Sequence, residues 1–276
     1  MDVQETLARL KAMAQANTGT TYSGTTWDEL LKARVDSYNN TVGDLTGYDC
    51  PICKNKGSIE IIKNGESVIR RCKCMDVRES IHRIKKSGLM RLIDRYTLDN
   101  YNADEPWQKN IKQAAQEYVK AVISGGNNWF LLSGQPGCGK THICTAIAGQ
   151  LLRHGIPVQY MLWRDEVVRL KSLVNDYDAY QSIIDKLKSV KVLYIDDFLK
   201  TKNGTDVTAG DINAAFEIIN NRYIDPNLIT LLSSEKDIDS ITLIDEAIGS
   251  RIVERAEGYC KNILRAEGRN YRLKKR

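Results

Sequence analysis

The chain has 276 residues, of which 42% are hydrophobic and 27% charged, and its formal net charge is +5. This composition is typical of a soluble globular protein, and the length allows one sizeable α/β domain beside a smaller one. No run of 18 or more apolar residues is present, so a membrane span is excluded, and the first residues resemble neither a signal peptide nor a transit peptide. We therefore expect a cytoplasmic protein with no membrane partner.

The N-terminal part is predicted to contain two short helices. Leu7, Leu10 and Met13 have helical spacing. Thr26 and Glu29 form a capping-box pattern ahead of a second apolar helix. Helices this short can hardly bury a core of their own, so we expect them to dock on another protein.

Four of the seven cysteines form two close pairs: Cys50, Cys53, Cys72 and Cys74. In a cytosolic chain this grouping indicates a metal site rather than disulfides. Two strand-like runs flank Asn64-Gly65 between the pairs, a strong β-hairpin signal, and a hairpin would bring the pairs together as a Cys₄ zinc site. The second pair is C-x-C, tighter than usual, and His82 is an alternative ligand. Free or redox-active thiols are the alternative to zinc.

The remainder of the chain divides into a basic stretch and an α/β pattern. We place the boundaries at residues 1–80 for the N-terminal domain with its zinc site, 81–96 for a basic linker that is helical or partly ordered, and 97–276 for a larger domain. In the larger domain, strand and helix patterns alternate. This alternation predicts a mostly parallel sheet flanked by helices.

A glycine-rich segment with the pattern G-x-x-G-x-G-K-T follows the apolar run 129–132 and leads into a helix. A strand, a glycine-rich turn and a helix are the structural context of a phosphate loop, whose backbone N–H groups surround a polyphosphate. We expect Lys140 to reach the β and γ phosphates of ATP or ADP and the Thr141 hydroxyl to hold Mg²⁺. The predicted nucleotide-binding residues here are Gly134, Gln135, Pro136, Gly137, Cys138, Gly139, Lys140, Thr141 and His142.

A second apolar strand, within residues 191–198, carries two carboxylates, Asp196 and Asp197. In a parallel sheet the carboxyl ends of the strands face one crevice, so these acids and the phosphate loop are expected to share it. We assign Asp196 to the Mg²⁺ shell, usually through water, and Asp197 to polarising the attacking water. Both motifs together predict nucleotide hydrolysis.

Two segments further along the chain narrow the class of nucleotide-binding protein to which the sequence is compared. Residues 231–235 form an apolar strand that ends in small polar residues and Glu235, and residues 249–255 carry Arg251 and Arg255. With Asp196-Asp197-Phe198, the cysteine cluster and the ending Asn270-Tyr271-Arg272, the sequence resembles the DnaC/DnaI group of AAA+ replicative helicase loaders, in a phage or mobile-element version. The resemblance covers about residues 97–276 as the AAA+ ATPase module.

The resemblance implies roles for these residues. Arg251 would be an arginine finger that enters a neighbouring subunit's nucleotide site, with Arg255 assisting one turn later. Ser234 would face the nucleotide, and Arg272 aligns loosely with a terminal family arginine. Glu235 stands where these ATPases usually carry a sensor asparagine, and an ionised carboxylate cannot donate a hydrogen bond. Hydrolysis is therefore expected to be slow.

The resemblance also implies partners: a replicative helicase hexamer bound through residues 1–80, single-stranded DNA, and further copies of the AAA+ module. The candidate DNA-contacting residues are Lys171, Lys200, Lys202 and Arg222, with Tyr177 and Tyr180 for base stacking. The expected function is ATP-dependent loading of a helicase in DNA replication. Two alternatives stay open: an ATP-binding adaptor or inhibitor of a host helicase or loader, and a transposition ATPase of the IstB kind.

Overall fold

The computed structural model describes residues 26–201, 205–266 and 269–273. The helix predicted around Leu7–Met13, the candidate DNA residue Lys202 and the last basic residues of the tail lie outside these ranges. The chain divides into two compact units, Met1–Lys73 and Cys74–Arg276. Within the described residues, no helix is both long enough and apolar enough to cross a membrane.

The first unit contains helix α1 (Trp27–Asn40) and a hairpin of strands β1 (Ser58–Lys63) and β2 (Glu66–Arg71). Thr26 caps α1, and the predicted capping box with Glu29 is present. Asn64 and Gly65 both have positive φ, 53° and 79°. Positive φ at both central residues is what a type I′ hairpin turn requires, so the Asn-Gly prediction is confirmed.

The second unit is built on five parallel strands with helices on both faces. Its elements are, in chain order, α2 (Cys74–Lys86), α3 (Leu89–Arg95), α4 (Pro106–Ile123), β3 (Phe130–Gly134), α5 (Lys140–Arg153), β4 (Val158–Leu162), α6 (Trp163–Ser172), α7 (Tyr177–Ser189), β5 (Val192–Asp196), α8 (Ala209–Ile224), β6 (Ile229–Ser234), α9 (Ile238–Ile244), α10 (Glu246–Arg255) and β7 (Cys260–Ile263).

The strand order in this sheet is β4-β5-β6-β3-β7, with every pairing parallel. Strand β6 therefore separates the strand that precedes the glycine-rich loop, β3, from the strand that ends in Asp196, β5. Strand β7 completes the other edge and was not predicted. This order places the carboxyl end of β6 in the middle of the expected crevice.

The core lies on both faces of the sheet. Along β3, Phe130 and Leu132 pack into one apolar cluster and Leu131 packs into the other. Successive side chains of a strand point to opposite faces, and a parallel sheet covered on both faces needs apolar residues at every position. The near-continuous apolar run 129–132 follows from this burial.

Residues 81–96, predicted to be a basic linker, belong to helices α2 and α3 of the second unit. Ile84, Leu89 and Ile93 are buried in the same apolar cluster as Phe130. A Cβ added to Gly149 of α5 would lie 2.9 Å from the Cγ2 atom of Ile93, so this glycine allows the close approach of α3 to α5. This stretch has five lysine and arginine residues, but its six aliphatic side chains outnumber them and decide how it packs.

Candidate nucleotide and metal sites

The phosphate loop connects the buried strand β3 to helix α5. Gly134, Gly137 and Gly139 have positive φ values of 148°, 75° and 97°, a region in which glycine carries no steric penalty. Lys140 is buried, and its Nζ donates to the carbonyl oxygens of Gly134 (2.7 Å) and Gln135 (2.9 Å). The ammonium is thus held inside the curl of the loop, as a phosphate-binding lysine requires.

Thr141 and Asp196 come together although 55 positions separate them in the chain. The Thr141 hydroxyl donates to Asp196 Oδ1 at 3.2 Å. Tyr160 donates its hydroxyl to Asp196 Oδ2 at 3.4 Å, and burial, followed by the charge of Asp196, raises the pKa of Tyr160 above its usual range. A buried carboxylate beside a hydroxyl oxygen is a donor set of the kind that Mg²⁺ prefers. These two residues fit the predicted magnesium site.

The serine in direct contact with this site is Ser233, which the sequence reasoning missed. Its hydroxyl bonds to Asp196 Oδ1 and accepts from the backbone N–H of Asp197 at 3.1 Å. The predicted residue, Ser234, donates to the carbonyl of Phe198 at 2.9 Å. Because neighbouring strand residues face opposite sides, only one of the two serines can point at Asp196. The signal that would have found it is the register of β6 beside β5.

Asp197 and Glu235 lie in the same cavity as the phosphate loop and share one lysine. Lys200 Nζ is 3.1 Å from Asp197 Oδ2 and 2.7 Å from Glu235 Oε1. The cavity has a volume of about 490 Å³, and Lys140, Thr141, Asp197, Lys200 and Glu235 all line it. Asp197, which is proposed to polarise the attacking water, is therefore close to Glu235, the residue that departs from the family pattern.

Aromatic residues and the C-terminal segment line the rest of this cavity. His142 stacks on Tyr96 with ring centroids 4.7 Å apart, and burial lowers the pKa of His142. The backbone N–H of Tyr271 donates to the carbonyl of Gly137 at 3.1 Å, and Arg272 lines the cavity beside it. The segment at the end of the chain thus packs directly on the phosphate loop.

The four paired cysteines converge on one point. Their Sγ atoms all lie within 4.8 Å of one another, all four residues are buried, and the Sγ atoms of Cys50 and Cys72 are 3.8 Å apart. Four thiolates around a tetrahedral zinc ion with Zn–S distances of about 2.3 Å are separated by about 3.8 Å. Cys50, Cys53, Cys72 and Cys74 therefore fit zinc, and the group found among the described residues does not include His82.

Arg251 lies on α10, where its guanidinium is 5.4 Å from the ring centroids of both Phe216 and Tyr223. Its Nη1 donates to the carbonyl of Ala247 at 2.7 Å. It does not line the cavity that contains the phosphate loop of its own chain. The predicted role of this residue in a neighbouring subunit's site stays a prediction.

Arg255, predicted to bind the nucleotide, has a structural role within this chain. Its guanidinium is 5.3 Å from the Trp129 ring centroid and donates to five carbonyls, among them those of Asn127 and Leu228 at 3.1 and 2.9 Å. Asn127 and Leu228 precede strands β3 and β6, whereas the phosphate loop follows β3. Arg255 is therefore held at the amino ends of these strands, opposite the end that carries the phosphate loop.

Arg222 was predicted as a candidate DNA contact, and this prediction is wrong because the side chain is fully buried. Its guanidinium donates to the carbonyls of Leu187 and Val190, both at 2.9 Å, and to that of Ile229. Burial, and then the nearby charge of Arg255, lower the pKa of Arg222 to about 9, which leaves it protonated at neutral pH. An arginine in a helix can be buried or exposed, so the sequence pattern alone does not reveal that Arg222 is buried.

The other candidate DNA residues have varied surroundings. Lys171 forms an ion pair with Asp211 at 2.8 Å, and Tyr180 donates its hydroxyl to Glu217 at 2.5 Å. Tyr177 is exposed. Of this group, Tyr177 and Lys171 are exposed, and Lys171 is engaged in its ion pair with Asp211.

A buried strand, a glycine-rich loop with its lysine, and an acidic strand end separated from them by one further strand together define a P-loop ATPase with the AAA+ arrangement. A model of the family described as IstB-like ATP binding protein matches residues 67–276. The chain belongs to this family and is an ATPase of the IstB/DnaC type.

Two curated relatives and one solved structure illustrate the range of similar proteins. The phage-like element PBSX protein XkdC of Bacillus subtilis is 31% identical over 223 residues, which are 78% of this chain and 82% of that protein. The replicative helicase loader DnaC of Escherichia coli (strain K12) is 29% identical over 113 residues, which are 41% of this chain and 46% of DnaC. A crystal structure of the DnaC helicase loader is 19% identical with a TM-score of 0.48, and covers 62% of this chain and 97% of that one.

Proposed function

We propose that this protein loads a replicative DNA helicase onto single-stranded DNA in an ATP-dependent manner, acting as an oligomeric switch. The observation that carries the proposal is the joining of the two nucleotide motifs through Thr141 and Asp196 in a chain whose relatives include the DnaC loaders. ATP binding would set the state of the AAA+ module. The N-terminal residues 1–80, which carry the cysteine cluster, would grip the helicase.

Arg251 is the residue through which neighbouring modules would sense ATP. Its guanidinium lies near two aromatic rings, which limits its rotation, and an arginine supplies a fixed charge and a planar set of donors for a phosphate. The residue lies outside its own chain's nucleotide cavity, so the ATP that it would contact is that of a neighbouring subunit. This arrangement supports a requirement for assembly in hydrolysis.

Residues in both sites would hold the ligands that the function needs. Lys140 and the loop amides would bind the phosphates, Thr141 and Asp196 would hold Mg²⁺, and Asp197 would orient the attacking water. Mg²⁺ supplies charge neutralisation of the phosphates when it is bound. Zinc held by the cysteine cluster would contribute folding energy to a unit with a small core.

The decisive experiment is co-elution of the purified protein with the host's replicative helicase hexamer, with ATP, with ADP and without nucleotide. We expect a complex, and ATP-dependent unwinding by the helicase on a substrate with circular single-stranded DNA. Lys140→Ala should abolish the ATP-dependent step, whereas Lys120→Ala, at an exposed position of α4, should not. Absence of a complex in all three states would refute the loader function.

The same experiment distinguishes the alternatives. An adaptor or inhibitor would form the complex but block unwinding without hydrolysing ATP. A transposition ATPase is favoured by the description of the matching family, and it would assemble on duplex DNA with no helicase present. The cysteine-bearing unit weighs against that alternative, because a small zinc-stabilised module is suited to docking on a protein partner.

A further inference from the structure

Lys200 sits between two carboxylates at the rim of the nucleotide cavity. Its Nζ is 3.1 Å from Asp197 Oδ2 and 2.7 Å from Glu235 Oε1, and all three side chains are only about one-third exposed. Asp197 is held in place by its own backbone N–H, which donates to Ser233. The ammonium is therefore fixed from two sides, on elements that end at the carboxyl edge of the sheet.

The hydrogen-bonding capacity of the ammonium is not exhausted by these two partners. A lysine ammonium has three N–H donors, and Lys200 makes two side-chain bonds among the described residues. The side chain lines the cavity that also contains Lys140 and Thr141. One donor thus remains for a ligand in this cavity.

The charges around the cavity indicate why a cation is needed there. Asp197 and Glu235 are both acidic, and two unpaired carboxylates would repel the polyphosphate that the loop is built to bind. Glu235, when ionised, cannot donate a hydrogen bond to a phosphate. Lys200 offsets one of these charges, and it is the donor that Glu235 itself lacks.

We propose that Lys200 is a catalytic residue of this ATPase, and that its ammonium, carried by Glu235 and Asp197, donates a hydrogen bond to the terminal phosphate of bound ATP. The inference rests on the proposed nucleotide site. In hydrolysis, water forms the new P–O bond, the bond from the γ-phosphorus to the oxygen bridging the β and γ phosphates breaks, and the proton of water leaves toward Asp197. Lys200 keeps its proton throughout and stabilises the charge on the transferred group.

The protonation of Lys200 agrees with this role. Burial acts to lower its pKa, but the hydrogen bonds to Glu235 and Asp197 outweigh burial and raise the pKa above the ordinary lysine value. The cation therefore persists at neutral and moderately alkaline pH. Replacement of Lys200 by alanine removes both the charge and the hydrogen-bond donor, whereas glutamine removes the charge and keeps a neutral donor.

The test compares the dissociation constants for ATPγS and for ADP, both with Mg²⁺, by calorimetry on the full chain. Lys200→Ala should weaken ATPγS binding roughly 10- to 100-fold, the loss of one hydrogen bond to a charged group, and change ADP binding by less than about 3-fold. Lys236→Ala removes the same charge from a position outside the phosphate-loop cavity and should change neither. Lys200→Gln, which retains a neutral donor, should give an intermediate loss and serves if the alanine variant folds poorly.

A double variant, Lys200→Ala in Glu235→Gln protein, distinguishes direct contact of Lys200 with the phosphate from an effect on the charge balance of the cavity. In Glu235→Gln protein one repelling carboxylate is gone, so a purely indirect effect of Lys200→Ala should shrink. Direct donation predicts that the selective loss of ATPγS affinity persists in this background. Equal losses for ATPγS and ADP, no loss, or a loss that disappears with Glu235→Gln would overturn the proposal while leaving the ATPase intact. A parent protein that binds neither nucleotide would instead refute the proposed function.

Discussion

Replacement of the buried arginine Arg222 by methionine should destabilise the second unit strongly. Methionine preserves much of the side-chain volume but cannot donate, so the carbonyls of Leu187, Val190 and Ile229 lose their partner. Each hydrogen bond to a charged group contributes about 1.5–3 kcal/mol, and removal of the desolvated charge offsets part of the loss. After this offset we expect a net cost of about 3–5 kcal/mol, because several carbonyls stay buried without a donor.

The assay is thermal and urea unfolding followed by circular dichroism. At about 2–4 °C per kcal/mol for a domain of this size, the melting temperature should fall by roughly 6–20 °C. The matched control is Arg91→Met, at an exposed position of α3, which should stay within about 0.5 kcal/mol of the parent protein. A loss below about 1 kcal/mol for Arg222→Met would show that water or other donors satisfy these carbonyls, and the structural role assigned to Arg222 would be wrong.

Three further changes test the metal, magnesium and assembly sites. Cys53→Ser should release zinc and expose the first unit to protease, since the metal supplies much of the folding energy of this unit. If elemental analysis finds stoichiometric zinc in the variant, the proposed site is wrong. Ser233→Ala should weaken Mg²⁺-dependent nucleotide binding about 2- to 10-fold, the value of one hydrogen bond, whereas Ser234→Ala should not; equal effects in a magnesium titration would contradict the assignment. Arg251→Ala should leave the ATP affinity of the monomer unchanged but abolish hydrolysis that depends on protein concentration, and mixing it with Asp197→Asn protein should restore part of the rate. If the rate of hydrolysis depends neither on protein concentration nor on Arg251, hydrolysis does not require the assembled state.

The sequence determined the features that depend on neighbouring residues. The Asn64-Gly65 turn and the capping box of Thr26 with Glu29 require particular φ values or donors within a few positions, and both are present. The phosphate loop is of the same kind, because its glycines allow the positive φ values that place Lys140 inside the loop. Hairpin formation also explains why the spacing of the cysteine pairs was sufficient to predict their convergence.

Only the tertiary structure decided which distant residues meet. The order of the strands places β6 between β3 and β5, so that Ser233 rather than Ser234 reaches Asp196. The same packing buries Arg222 and brings Lys200 to Glu235, 35 positions away. Local patterns fix backbone dihedrals and the faces of elements. The neighbours of a side chain depend on which strands pair and which helices cover them, and those choices are made by burial over the whole domain.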